Sequence, residues 1–332
     1  MPEVLSALII GCGDIAGGYD EAGDERAVRT HAGAYRAHPN FCVTACIDPD
    51  DQRRQQFMAF WDISDGYPDI ESCRQAGLGF DVASVCLPTD LHGDVLEDLL
   101  EMPIRAVFAE KPMTNDLVQS TRIVNAYADA DRLLVVNYLR RFDGEIQSLK
   151  REIADGVWGA LQSGSAHYAK GIFNCGSHAI DLLQFLFGPM RPVAVRRCLE
   201  DYQPDDPTLT AQLESEDGAV LDLIGCDSRL FFPFEIDLVM EKGRISLEDL
   251  GLKLRRRRVA QHPSYVHQTA LDDGEWMDTE MPHAMENAVA CIYEALINSA
   301  PLVSSGVTAL ASEKICAELK DMAVRDNRGV PV

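Results

Sequence analysis

The sequence predicts two domains of different class. The first is an α/β domain built on a doubly wound parallel sheet; the second is an α+β domain with a largely antiparallel, open sheet. Three observations carry this. Short apolar runs alternate with amphipathic stretches over the first part of the chain, and a glycine-rich turn follows the first apolar run directly. From about residue 160 the apolar runs succeed one another across turn signals, with little helix between them. A length of 332 residues fits two domains.

In the first domain, strands are expected at Val4–Ile10, Cys42–Ile47, Val82–Leu87, Ala106–Ala109 and Leu133–Val136. Helical patterns at Asp51–Phe60, Leu91–Leu100 and Leu117–Ala128 separate them. Strands divided by helices pair in parallel through right-handed crossovers. The stretch Gly17–Asn40 is longer than a tight first crossover needs and carries an acidic run, DEAGDE, over 20–25. In the second domain, strands are expected at Ala160–Tyr168, Val193–Cys198, Leu209–Leu213, Ala219–Asp227, Phe234–Met240 and Arg244–Leu247. Turn signals at Glu216–Gly218 and Lys242–Gly243 make hairpins of four of these. Helices are expected at His178–Phe187, Ala284–Asn298 and Val307–Arg325. The domains are drawn at 1–138 and 139–332.

The formal charge of −23 repels phosphate backbones and anionic lipid, which argues against nucleic-acid and membrane-surface partners. No apolar run reaches the length of a membrane span, and the N-terminus lacks the basic start of a signal peptide. Ten cysteines without a CxxC spacing read as reduced thiols of a cytoplasmic protein, and no spacing resembles a metal site. Leu254–Arg258 (LRRRR) lies in a strand-like stretch, where arginines are expected to pair with acids across a sheet or subunit interface.

The first apolar run leads into Gly11–Cys12–Gly13–Asp14–Ile15–Ala16, a G-x-G-x-x-A turn of Rossmann type. Gly11 allows the tight turn, and Gly13 lets the backbone approach a pyrophosphate. Ala16 lets the following helix pack closely, with the amides of Asp14 and Ile15 facing the phosphates. Asp48 ends the second strand, where a carboxylate accepts hydrogen bonds from the adenosine ribose and repels a 2′-phosphate. NAD is therefore expected; Arg53 and Arg54 lie near enough in sequence to serve a 2′-phosphate, which leaves NADP open. Lys111 follows the strand Ala106–Ala109 at its carboxyl end, where open α/β sheets bind ligands. Desolvated there, a lysine amine can titrate in a useful range.

Four segments in order resemble the Gfo/Idh/MocA family of NAD(P)-dependent oxidoreductases. They are the glycine turn, Pro88–Thr89–Asp90–Leu91–His92, Glu110–Lys111–Pro112, and Gly176–Ser177–His178–Ala179–Ile180–Asp181. The resemblance implies an enzyme acting on CH–OH groups of sugars, cyclitols or nucleotide-linked sugars, with Lys111 and His178 in proton transfer. It implies cofactor contacts from Pro88, Thr89, His92, Glu110 and Lys111. Arg140, Arg141, Tyr168, Lys170, Asn174 and Asp181 become expected substrate contacts, Asp181 more as a support for His178 or for the fold. Asn174 stands where many relatives carry aspartate; it can hydrogen-bond a hydroxyl but cannot take its proton. A homodimer or homotetramer is expected. Two other readings share the fold: a cofactor-sensing regulator, and a sugar-modifying enzyme that uses NAD transiently with no net redox change.

Overall fold

The computed structural model describes residues 3–21 and 27–327, with backbone alone at 326 and 327. Most of the acidic run at 20–25 lies outside the described residues. The chain divides into two compact units: Met1–Phe142 with Pro282–Leu310, and Asp143–Met281 with Ala311–Val332.

The first unit holds six parallel strands: β1 (Leu5–Ile10), β2 (Phe41–Ile47), β3 (Asp65–Tyr67), β4 (Val82–Val85), β5 (Ala106–Ala109) and β6 (Leu133–Val136). Their order is β3-β2-β1-β4-β5-β6. The inner runs VASV and AVFA are buried at every position, as expected of a parallel sheet covered on both faces. Five of these strands answer to the sequence pattern. The sixth, β3, does not: DGY is three residues long with a central glycine, and it becomes a strand only by pairing with β2. The helix His31–Ala37 was also not expected. Thr30 caps it by accepting from the Gly33 amide, and the Asp20 carboxylate accepts from the backbone of Arg29 and Thr30. The long first crossover is thereby closed on itself.

Residues 282–310, drawn with the second domain from sequence, return to the first unit. The helix Ala284–Asn298 buries Met285, Val289 and Ile292 there. His38 lies 4.9 Å from the ring of Tyr293, and Ser304 donates to the Val136 carbonyl at 2.6 Å. A boundary drawn on the chain could not anticipate this return, because the helix is amphipathic in either setting.

The second unit carries a nine-stranded sheet among the described residues. It contains β7 (Leu161–Ala169), β8 (Met190–Gln203), β9 (Asp206–Ser215), β10 (Val220–Cys226), β11 (Phe234–Met240), β12 (Gly243–Glu248), β13 (Lys253–Gln261), β14 (Thr269–Leu271) and β15 (Glu275–Asp278). The order is β14-β13-β12-β11-β7-β10-β9-β8, with β15 also on β13. All pairs are antiparallel except β7 with β10, which are parallel neighbours near the middle. Alternation is clean in β11 and β12, where every second residue is buried. The buried face packs on helices Gly144–Ala154 and Ser177–Phe187 and on Ile315, Cys316 and Leu319 of the last helix. The other face is polar and partly exposed; Ser165, His167, Glu235, Asp237, Arg244 and Ser246 line a depression of about 180 Å³ on it. β8 is longer than the sequence pattern, because its bulges let polar positions continue the pairing with β9.

The arginine run falls on β13. Arg256 meets Glu145 and Glu152 at 3.3 and 3.4 Å. Arg258 stacks 3.6 Å from the Trp158 ring centroid, while Arg255 and Arg257 donate to the carbonyls of Asp273 and Asp272. These contacts lie within one unit and satisfy the charges locally.

Candidate active site

The register of the first sheet sets the site. One residue beyond each strand stand Gly11, Asp48, Cys86, Glu110 and Asn137, each donating its backbone N–H to the end of a neighbouring strand. Strand order reverses between β1 and β4, and such a switch point opens the crevice in which doubly wound sheets hold ligands.

The glycine turn has the shape a dinucleotide requires. Gly11 has φ +87°, and a Cβ there would lie 2.7 Å from the Cys86 carbonyl oxygen. Gly13 is extended, and a Cβ built on it would meet nothing within 4 Å. The space in front of it is open to a bulky group. The chain then winds through Asp14–Gly18, where the amides of Gly17 and Gly18 both donate to the Gly13 carbonyl. The earlier amides of this turn have no acceptor inside it. Asp14 is exposed, Ile15 half-buried and Ala16 fully buried. These residues fit a pyrophosphate.

Asp48 is almost fully buried and ties the turn to β2: its two oxygens accept from the amides of Cys12 and Asp50, each at 2.9 Å. Arg53, 53% exposed, also contacts both oxygens through Nη1, at 3.5 and 3.4 Å, and Arg54 donates to the Asp48 carbonyl.

The loop after β4 carries an exposed Pro88 and a half-buried Thr89 that opens the helix Thr89–Asp98. His92 does not offer a ring nitrogen to a cofactor, contrary to the sequence reading. It is buried, with Nδ1 2.8 Å from the Pro112 carbonyl and Nε2 2.7 Å from that of Leu87. It joins the two loops that flank β5 instead.

Glu110 and the half-buried Lys111 follow β5. Glu110 Oε1 accepts from Asn137 Nδ2 at 2.7 Å and lies 3.1 Å from His31 Nε2. Burial pushes the Glu110 carboxyl up, but the hydrogen bonds from His31 and Asn137 and the charge of Lys111 outweigh it and hold it below the usual range. His31 and Asn137 are functional candidates that the sequence reading missed as site residues. Asn137 could have been found by noting that Asp48, Glu110 and Asn137 each stand one residue beyond a strand.

In the second unit, β7 ends at Lys170–Gly171, both in the left-handed region at φ +68° and +87°. A Cβ on Gly171 would collide with Asp206. That carboxylate accepts from the amides of Phe173 and Asn174 at 2.8 and 2.9 Å, and Thr208 accepts from Gly171 N. Asp206 and Thr208, also missed, thus shape the segment that delivers His178. Asn174 Nδ2 donates to the Lys170 carbonyl. His178 is half-buried in the first turn of the helix Ser177–Phe187, edge-on to Phe234 at 6.5 Å. Lys170 is exposed, its ammonium 5.1 Å from the Tyr202 ring centroid.

Three expected substrate contacts turn out to support the fold. Tyr168 is fully buried, and its hydroxyl donates to the Leu209 carbonyl and accepts from the Leu209 amide. Burial also pushes its ionisation far up, so it is a core residue. Arg141, in the turn Leu139–Phe142, is buried and donates to the Val303 carbonyl, fastening the returning segment. Asp181 is buried and accepts from Ser312 at 3.3 Å, in its expected supporting role. Arg140, beside Arg141, is half-buried.

Residues 5–138 match the model of an oxidoreductase family with an NAD-binding Rossmann fold. An inositol 2-dehydrogenase of Rhizobium meliloti is 24% identical over 280 residues, covering 76% of this chain and 79% of that one. One from Rhodococcus jostii is 28% identical over 193 residues, 52% of each chain. Among solved structures, the WlbA dehydrogenase of Bordetella pertussis, in complex with NADH and UDP-GlcNAcA, superposes with a TM-score of 0.77 at 17% identity, over 98% of this chain and 96% of that one. An oxidoreductase from Agrobacterium radiobacter, in complex with NAD+, L-tartaric acid and magnesium, gives 0.76 at 17% identity, over 97% of each. With the motif order, the strand-end register and the glycine turn in agreement, residues 5–138 resemble the NAD-binding domain of the Gfo/Idh/MocA oxidoreductases.

Proposed function

We propose that the protein transfers a hydride between nicotinamide and a hydroxyl- or keto-bearing carbon of a sugar, cyclitol or nucleotide-linked sugar. The observation that carries this reading is the row of strand ends in the first unit, in which Glu110 and Lys111 follow β5 beside the switch point. The inositol 2-dehydrogenase relatives support a polyhydroxylated substrate. NAD bound there would supply the hydride chemistry. The first unit then binds the dinucleotide through Gly11, Gly13, the amides of Asp14 and Ile15, Asp48, Pro88, Thr89 and Lys111. NAD is preferred, because Asp48 faces the ribose; Arg53 beside it gives NADP a second route.

In this reading Lys111 and His178 handle the hydroxyl proton. Asn174 donates or accepts a hydrogen bond but moves no proton, so an aspartate–histidine relay is not available. Lys170 and Arg140 would meet an anionic substituent, which favours a phosphorylated or nucleotide-linked sugar. The second unit binds the substrate, and its half-exposed polar sheet face makes the contacts of a homodimer or homotetramer. Among the described residues no helix is long and apolar enough to cross a membrane.

The test follows nicotinamide absorbance with NAD, then NADP, against free sugars, cyclitols and nucleotide-linked sugars, with Lys111→Met as control. Reduction with one substrate class, lost in the variant, is expected. Product formed on a catalytic amount of NAD without NADH accumulation would replace net oxidation by transient redox. A monomeric mass in sedimentation would overturn the oligomer.

A further inference from the structure

We infer that His31 is a positioning residue of the redox site, holding the Glu110 carboxylate in place at the end of β5 through a buried hydrogen-bond chain. The inference rests on NAD binding at this site, not on the identity of the sugar.

His31 is fully buried, with its ring centroid 4.4 Å from that of Phe108. Nδ1 lies 3.0 Å from Ser84 Oγ, and Ser84 Oγ lies 2.9 Å from the Tyr35 hydroxyl. Nε2 lies 3.1 Å from Glu110 Oε1. Ser84 and Phe108 are register partners on β4 and β5, so the chain runs across one sheet face under the helix His31–Ala37.

The protons fix its direction. Tyr35 and Ser84 are fully buried, and among the described residues Tyr35 has no other hydrogen-bond partner. Every donor is satisfied when Tyr35 donates to Ser84, Ser84 donates to Nδ1, and neutral His31 donates from Nε2 to an ionised Glu110. An imidazolium would leave one of the two hydroxyl protons, that of Ser84 or that of Tyr35, without an acceptor in this chain. A buried polar chain of this kind is a poor way to gain stability compared with apolar packing. This one ends on a carboxylate at the ligand-binding end of the sheet.

Two further atoms point the same way. Glu110 keeps 14% side-chain exposure, and among the described residues its hydrogen-bond partners meet Oε1. Asn137, which shares Oε1, has its own Oδ1 buried without a donor. The groups around Glu110 are His31 from its helix, Cys86 after β4, Asn137 after β6, and Lys111 next in sequence. Without the His31 donor, the buried Glu110 takes up a proton at higher pH and withdraws its charge from beside Lys111.

The test uses full-length His31→Leu, which removes the donor, and His31→Gln, whose amide can still donate to Glu110. NADH affinity by nicotinamide fluorescence and the turnover profile are measured from about pH 4 to pH 9. In His31→Leu both are expected to fall about threefold near pH 5 and recover by about pH 7, the acid limb having moved up by about one unit. His31→Gln is expected within about threefold of the parent throughout, and Glu110→Gln to lose the limb altogether. A uniform loss at all pH values in His31→Leu, or an unchanged limb in Glu110→Gln, overturns the inference. The Glu110→Gln arm decides even if His31→Leu does not fold. If no sugar turns over while NADH affinity keeps a His31-dependent limb, the substrate reading falls and the inference stands. Turnover with coincident limbs in all variants gives the reverse.

Discussion

The two sheets are built from similar residues and put to different use. In the first, parallel strands are covered on both faces, so polar chemistry is confined to the strand ends, and five adjacent ends carry Gly11, Asp48, Cys86, Glu110 and Asn137. In the second, one face is core and the other stays polar, so charged groups spread over a surface; Asp237, Arg244 and Glu235 are examples. Chemistry that needs several groups at fixed separations belongs on the first kind of sheet. A broad surface suited to another protein belongs on the second. The second unit's own candidate, His178, is accordingly delivered by a loop and a helix start, where Asp206 and Thr208 impose the conformation.

The comparison can be broken at several points. Lys111→Met should lower turnover by about 10²–10⁴-fold, the usual worth of a positioned acid–base group, while NADH still binds by fluorescence titration. A small loss would move the chemistry away from the first sheet. Gly11→Ala should destabilise the protein by about 2–4 kcal/mol in urea melts, combining a left-handed backbone with a clash against the Cys86 carbonyl, and should abolish NADH binding.

Tyr168→Phe sharpens the contrast from the other side. It leaves the Leu209 amide and carbonyl without their partner, for about 1–3 kcal/mol of stability at unchanged kcat. A change in kcat would restore Tyr168 to the site. Asp206→Asn keeps one acceptor but turns an amide toward a backbone N–H. The expected loss is about 1–2 kcal/mol, with KM for the substrate rising more than KM for NAD.

The smallest effect is a pH slope. The Glu110 carboxyl is held below its ordinary value, so its stabilisation is present above the unfolded value of about 4.3 and fades as pH falls through the folded one. Acid unfolding should therefore be shallower below about pH 4 in Glu110→Gln than in the parent. Equal slopes would mean that the His31 contact does not couple to ionisation.

Much of the fold could be read from the chain because apolar runs and glycine turns report local geometry. Five strands of the first sheet and the hairpin strands of the second lie where periodicity puts them. β3 escaped because three polar or small residues have no pattern of their own. The backbone placement of the candidate residues was legible only where a motif fixes a turn, as at Gly11, or where a strand ends, as before Asp48 and Lys111. His92, Arg141 and Tyr168 were misread for a common reason: their types suit ligand contact, but burial and backbone partners had already used their polar atoms. His31 was invisible because it lies 79 positions from Glu110, inside an insertion without periodicity.

The sequence by itself determined the two-domain class, the parallel pairing of the first sheet, the glycine turn and the family resemblance, since each depends on residues close together in the chain. Only the tertiary structure decided that residues 282–310 return to the first unit, that the strand ends form one row, and that Tyr35, Ser84, His31, Glu110 and Asn137 share a chain of hydrogen bonds. Those facts depend on which strands lie side by side and which side chains lose their water. Long-range packing fixes both, and no local pattern encodes it.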